Sequence, residues 1–171
     1  MDIHGKYKFC EQDFENALLA YLEAVGWQYL PGNSITRKSQ QEVIYEDDLE
    51  QFLVKTNPDL NPSDFRQIID MVRLVGAESD FATLHKVYNW MVSGISFTPE
   101  NGQPQIISLI DFENPGNNIY RAVNQFTVEY VNNGQTQSRR PDVLLFVNGI
   151  PVCVIELKNP ADAKATVYSA W

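Results

Sequence analysis

Apolar positions divide the chain into two textures. Across residues 13–25 they fall at Phe14, Leu18, Tyr21, Leu22 and Val25, the three-and-four spacing that lines one stripe of a helix, and Gly26 follows where a left-handed stop is cheap. Residues 27–30 are short, aromatic and closed by Pro31-Gly32, which predicts a strand with a turn behind it. A loop carrying Arg37 and Lys38 leads into three helical patterns in series. These are 47–56, running up to Pro58; 62–75, with Asn61 as cap and Gly76 as stop; and 80–92, stopped by Gly94. They predict a helical insert over about 46–93.

Beyond Gly94 the sequence turns β-branched and aromatic, broken by turn residues. Candidate strands are 105–111, 119–131, 142–147 and 151–158, the last three separated by Asn132-Asn133-Gly134 and Asn148-Gly149. No internal repeat or low-complexity tract interrupts this order. The organisation is helix, strand, helical insert, antiparallel sheet, which is an α/β class. Residues 160–171 begin another helix-like pattern and stop without a cap, so a longer protein is expected to continue past them.

Composition bounds this picture. A chain of 171 residues with 44% hydrophobic and 20% charged side chains forms one globular domain, 1–171, and excludes disorder and coiled coil. The longest apolar runs, 143–147 and 150–155, fall far short of the roughly 20 residues that cross a bilayer, so no membrane span is expected. Residues 1–6 lack the basic stretch and apolar core of a secretory signal, which predicts a cytoplasmic location. Of the two cysteines, Cys10 and Cys153, the second lies inside an apolar strand pattern and is expected to be a small buried hydrophobe, with no disulfide. With 13 basic and 22 acidic residues the net charge is −9, so no overall positive field draws in a polyanion. A nucleic acid would need something local to hold it.

Several chemistries are absent. No phosphate-cradling glycine loop, dinucleotide turn or Cys-x-x-Cys pair occurs, which argues against ATP chemistry within these residues. A histidine-based zinc site or a Ser-His-Asp triad would have to use His4 or His85, and His85 reads as a helix-surface or core residue. Phe52, Phe81, Tyr88 and Trp90 read as core or as a docking face, not as a base-stacking platform.

The informative stretch is 139–159. Asp142, Glu156 and Lys158 are ionisable groups on otherwise apolar strands. In a strand Glu156 and Lys158 project from one face, about 7 Å apart. If Asp142 joins them, two carboxylates make a hard oxygen site suited to Mg2+, with an ammonium beside it to hold water or offset charge on a phosphate. Register decides the matter, because residues directly opposite in a hairpin share a face. A regular two-residue Asn148-Gly149 turn pairs Val147 with Ile150, sets Asp142 opposite Ile155, and parts it from Glu156. An odd loop restores the site. The sequence therefore predicts a bulged turn or another one-residue irregularity between Asp142 and Glu156.

Pro141-Asp142 followed by Glu156-Leu157-Lys158 resembles the PD-(D/E)XK nuclease signature. Three further runs extend the likeness: 111–118 around Asp111-Phe112 and Pro115; Asn124-Gln125-Phe126-Thr127; and Arg140-Pro141-Asp142 through 160. With these the chain resembles, over nearly its whole length, the N-terminal nuclease region of the type I restriction endonuclease R subunit. The resemblance implies a restriction-endonuclease-like mixed sheet flanked by helices, with the helical insert. It implies a Mg2+-dependent endonuclease domain that hydrolyses double-stranded DNA, ahead of an ATP-driven translocase beyond these residues. Modification and specificity subunits would be its partners. Asp142 and Glu156 match the family's metal-binding carboxylates, joined by the Leu157 carbonyl, and Lys158 its catalytic lysine. Glu15, with Glu11 behind it, is the best match to an acid that an early helix supplies in related nucleases, although a first-turn acid also simply complements a helix dipole. Arg139 and Arg140 are candidate DNA-backbone contacts or solvated charges beside a turn. The family's Gln-x-x-x-Tyr motif does not occur between Lys158 and Trp171, which leaves the activity of these residues alone in question. The alternatives are another PD-(D/E)XK nuclease, such as a repair enzyme or resolvase, and a non-catalytic subunit-docking domain of the same fold.

Overall fold

The computed structural model describes residues 10–75, 80–100 and 102–158. His4, Gly76 and the helix expected in 160–171 lie outside the described residues. Helix α1 (Glu11–Ala24) starts where the Asp13 carboxylate turns back to accept the Cys10 N–H at 2.8 Å. It ends at Gly26, whose φ of 102° no side-chain-bearing residue adopts cheaply. Leu19 and Leu22 form its buried stripe, each removal from water being worth about 2 kcal/mol. Strand β1 (Gln28–Pro31) follows directly.

The insert comprises α2 (Glu46–Thr56), α3 (Pro62–Arg73) and α4 (Asp80–Ser93). Asn61 caps α3 by accepting from the Ser63 and Asp64 N–H groups, and Asp64 reciprocates on the Asn61 N–H, with Pro62 in the first turn where a missing donor costs nothing. These helices close over a small two-stranded sheet, β2 (Ile95–Phe97) antiparallel to β3 (Gln105–Ile107). Leu49, Leu53, Phe65, Ile68, Ile95, Ile107 and Ile150 share that core. The aromatic residues divide: Phe52 is buried and Trp90 packs against the core, but Phe81 and Tyr88 are exposed, as is His85.

The main sheet contains β1, β4 (Tyr120–Asn124), β7 (Val143–Val147) and β8 (Ile150–Ile155), side by side in that order. It is mixed: β1 runs parallel to β4, and the remaining neighbours are antiparallel. Consequently Pro31, Asn124, Val143 and Ile155 all lie at one end of the sheet. On one face α1 covers Ala122, Val143 and Leu145; on the other Val123, Leu144, Phe146, Phe126 and Ile35 pack together.

Several expectations need correction. The strands expected over 105–111 and 151–158 end at Ile107 and Ile155, so Asp142 lies just before β7 and Glu156 and Lys158 just after β8 rather than on them. The single strand expected over 119–131 is two, β4 and β5 (Val128–Asn132), because Gln125 takes a φ of 53° and breaks the run. Strand β5 leaves the main sheet and pairs with β6 (Gln135–Arg139), which is polar and exposed throughout and so carries no alternating signal. Cys153 is exposed, not buried, because β8 is the outer strand of the sheet among the described residues; both cysteines are free thiols.

Candidate active site

The hairpin of β7 and β8 meets the register requirement in a specific way. Its turn is a regular two-residue one: Asn148 and Gly149 take φ of 50° and 74°, and Val147 pairs with Ile150. The irregularity lies within β8. Phe146 pairs with Pro151 while Leu145 pairs with Cys153, so Val152 is the extra residue of a β-bulge. From Val147 back to Asp142 is five steps and from Ile150 on to Glu156 is six. The bulge absorbs the difference and sets Asp142 opposite Glu156, one pair beyond Val143 and Ile155.

The Asp142 and Glu156 carboxylates lie close enough for each charge to act on the other. The Glu156 carboxyl is pushed above its ordinary range, first by partial loss of solvent around it and then by the negative charge of Asp142, against the opposing pull of Lys158 and Arg139. Asp142 is half-buried, and its Oδ2 accepts the Leu157 N–H at 2.6 Å, which fixes the carboxylate at the end of β8. Glu156 and Lys158 are exposed. Two acids, a lysine and an arginine thus converge where β7 begins and β8 ends.

Glu15 stands elsewhere. It is buried in α1, and its two carboxylate oxygens accept from Asn124 Nδ2 at 2.7 Å and Gln125 Nε2 at 3.2 Å. Strand alternation explains the separation: α1 packs on the Val143 and Leu145 face, whereas Asp142 continues the Leu144 and Phe146 face. Glu15 still touches the site indirectly, since the Gln125 N–H donates to the Asp142 carbonyl at 3.1 Å. Glu11 is exposed at the start of α1. Among the described residues no three His, Cys, Asp or Glu side chains gather closely enough to form a metal cluster. The donor chemistry nevertheless fits Mg2+, which is commonly held by one or two carboxylates with water completing its shell. A like-charge pair that raises its own proton affinity is also one that a cation relieves.

The residues around the pair include several that sequence reasoning passed over. Asn124 and Gln125 entered only as part of a likeness, and Lys38 only as a loop residue, yet all three line a cleft of about 810 Å³ beside the site, together with Arg140. Their spacing along the chain gives no hint of this, because it is the parallel pairing of β1 with β4 that unites them.

The model of the family described as "Type I restriction enzyme R protein N terminus" matches residues 8–171. The "Type I restriction enzyme HindI endonuclease subunit" of Haemophilus influenzae is 31% identical over 175 aligned positions, covering 94% of this chain and 16% of that protein. The "Putative type I restriction enzyme MjaIXP endonuclease subunit" of Methanocaldococcus jannaschii is 32% identical over 156 positions, covering 85% of this chain and 15% of the relative. The chain therefore spans about one sixth of the length of these relatives.

Proposed function

The chain belongs to the family of type I restriction enzyme R protein N termini, and from that premise we propose that it is the Mg2+-dependent nuclease unit of a restriction subunit, hydrolysing phosphodiesters of double-stranded DNA. The observation that carries this reading is the opposition of Asp142 and Glu156 across the bulged hairpin, with Lys158 close enough to lower the proton affinity of Glu156. Asp142, Glu156 and the Leu157 carbonyl would hold the ion. When bound it would polarise the scissile phosphate and make water more acidic.

The protein's own groups supply the rest. Asp142, locked by the Leu157 N–H, presents a carboxylate that does not have to reorganise. Lys158 orients the attacking water or stabilises charge gathering on the phosphate oxygens. Glu15 acts through Asn124 and Gln125 as a positioning residue for the β4 end that grips Asp142. ATP-driven translocation and the modification and specificity subunits would belong to the rest of the assembly, which acts in the cytoplasm.

The test is plasmid cleavage by the full-length protein with its partner subunits, Mg2+ and ATP. Lys158→Ala and Asp142→Asn should each lower the cleavage rate about a hundredfold or more, with ATP hydrolysis retained. Cleavage at the unsubstituted rate in Lys158→Ala would remove the catalytic assignment.

A further inference from the structure

We infer that the cleft between the β1 end, the 33–40 loop and the β4 end is a track for the phosphodiester backbone of a nucleic acid. The inference rests on the nuclease reading for what lies next to the cleft. Its charge is an independent matter.

Charge is sorted among three clefts lined by described residues of this acidic chain. The one beside the site has Arg37, Lys38 and Arg140 in its lining and no acidic residue. A second, of about 540 Å³, is lined by Asp111 and Glu113, and a third, of about 310 Å³, by Asp59 and Asp64; neither has a basic residue. In a molecule with 22 acids and 13 bases that segregation makes the lining of this one cleft net positive, with Glu42 and Glu46 standing outside the lining.

The three cations are held differently. Arg37 is fixed, donating to the Glu42 carbonyl at 2.9 Å and the Thr127 carbonyl at 2.8 Å, with its guanidinium 3.9 Å over the Phe126 ring. Carbonyls anchor it in the cleft wall, and the charge it keeps there is partly offset by the Glu42 carboxylate. Lys38 is exposed, with its Nζ 3.5 Å from the half-buried Glu46, which also pairs with Arg73, while the Glu42 carboxylate accepts the Lys38 N–H at 2.8 Å. Arg140 is exposed and forms no ion pair among the described residues. Asn33, Gln40 and Asn124 add neutral donors of the type that complete phosphate contacts.

Position completes the argument. The cleft opens at the sheet end that carries Asp142, two residues after Arg140, and Gln125 in its wall bonds the Asp142 carbonyl. Gly32 lets the β1 turn lie against β4, since a Cβ there would stand 2.4 Å from the Asn124 carbonyl oxygen. A strand whose scissile phosphate rests on Asp142 and Glu156 would thus run its neighbouring phosphates past Arg140 and Lys38.

The test uses this chain, a fluorescein-labelled DNA duplex two helical turns long and buffer free of divalent ions, read by anisotropy over a series of salt concentrations. Arg140→Glu and Lys38→Glu should each weaken binding about tenfold at low salt and lower the salt slope by about one. Arg66→Glu, on the exposed side of α3, serves as the control and should do neither. Arg140→Gln, which removes the charge without reversing it, should give a smaller loss with an unchanged melting temperature. Binding by Arg140→Glu that matches Arg66→Glu would overturn the inference, as would failure of the unsubstituted chain to bind the duplex at low salt. Retained cleavage in Lys158→Ala alongside lost binding in Arg140→Glu would remove the catalytic reading and leave the cleft standing; the reverse pair of results would do the opposite.

Discussion

Asn148 shows how much one side chain in a turn can hold. It is wholly buried and in the left-handed region that asparagine tolerates. Its Oδ1 accepts the Ile119 N–H at 2.7 Å, and its Nδ2 donates to the Leu109 carbonyl and to Asn118 Oδ1, both at 2.8 Å. Asn148→Ala would strand these partners away from water and should destabilise the fold by about 3 kcal/mol, measured by urea denaturation. Asp111 belongs to the same network, with its carboxyl held below the usual range by the Asn117 side chain and then by the Asn114 N–H. A lowered folded-state pKa contributes stability that is present above the unfolded value and lost as pH falls through the folded one. The protection factor of the Asn114 N–H, which divides out the intrinsic pH dependence of exchange, should therefore fall on acidification below the ordinary carboxylate range and hold steady above it, and Asp111→Asn should flatten that response. Sequence alone identified Asn148-Gly149 as a turn and 111–118 as part of a likeness. It could not show that the two are one network, since they meet only through folding.

At the level of elements, β8 carries the most information. Counting residues from the turn to Asp142 and Glu156 already demanded an irregularity, and that parity was legible because strand period is an exact two. Which residue bulges was not legible, because Pro151, Val152 and Cys153 all fit an outer strand. The count yields a paired prediction for the full-length protein. Inserting an alanine between Cys153 and Val154 moves Ile155 opposite Asp142, turns Glu156 away, and should abolish DNA cleavage. Deleting Val152 shortens that leg to match β7, keeps Asp142 opposite Glu156, and should preserve measurable cleavage. Loss in both variants to the same degree would show that register is not what seats the acids. Strand β6 illustrates the opposite case: Gln135, Thr136, Gln137, Ser138 and Arg139 contain no apolar residue, and only pairing with β5 makes them a strand.

Taken whole, the molecule anchors its helical insert at the end of the main sheet opposite its active end. The Tyr45 N–H donates to the Gly149 carbonyl at 2.8 Å, and a Cβ on Gly149 would stand 2.0 Å from the Tyr45 carbonyl oxygen. Asp48, buried near the start of α2, holds Arg121 of β4 in a two-pronged pair at 2.8 and 2.9 Å. Gly149→Ala should therefore cost about 3 kcal/mol or more, through both the positive φ and the lost approach of α2, and lower the melting temperature of the whole chain in one transition. Sequence foresaw the insert from its capping signals, but not its seat, because that seat is a backbone contact with no side chain to announce it. The bulge at Val152 bears on one more property. Strand β8 exposes Val152 and Val154 along a border that, among the described residues, has no neighbouring strand. A straight ribbon there would offer a second copy a template for zippering, whereas a kinked one does not match it. The bulge that keeps the acids facing each other in a strand one residue too long thus also guards against aggregation, and a chain straightened by deletion of Val152 should precipitate sooner even while it still cuts.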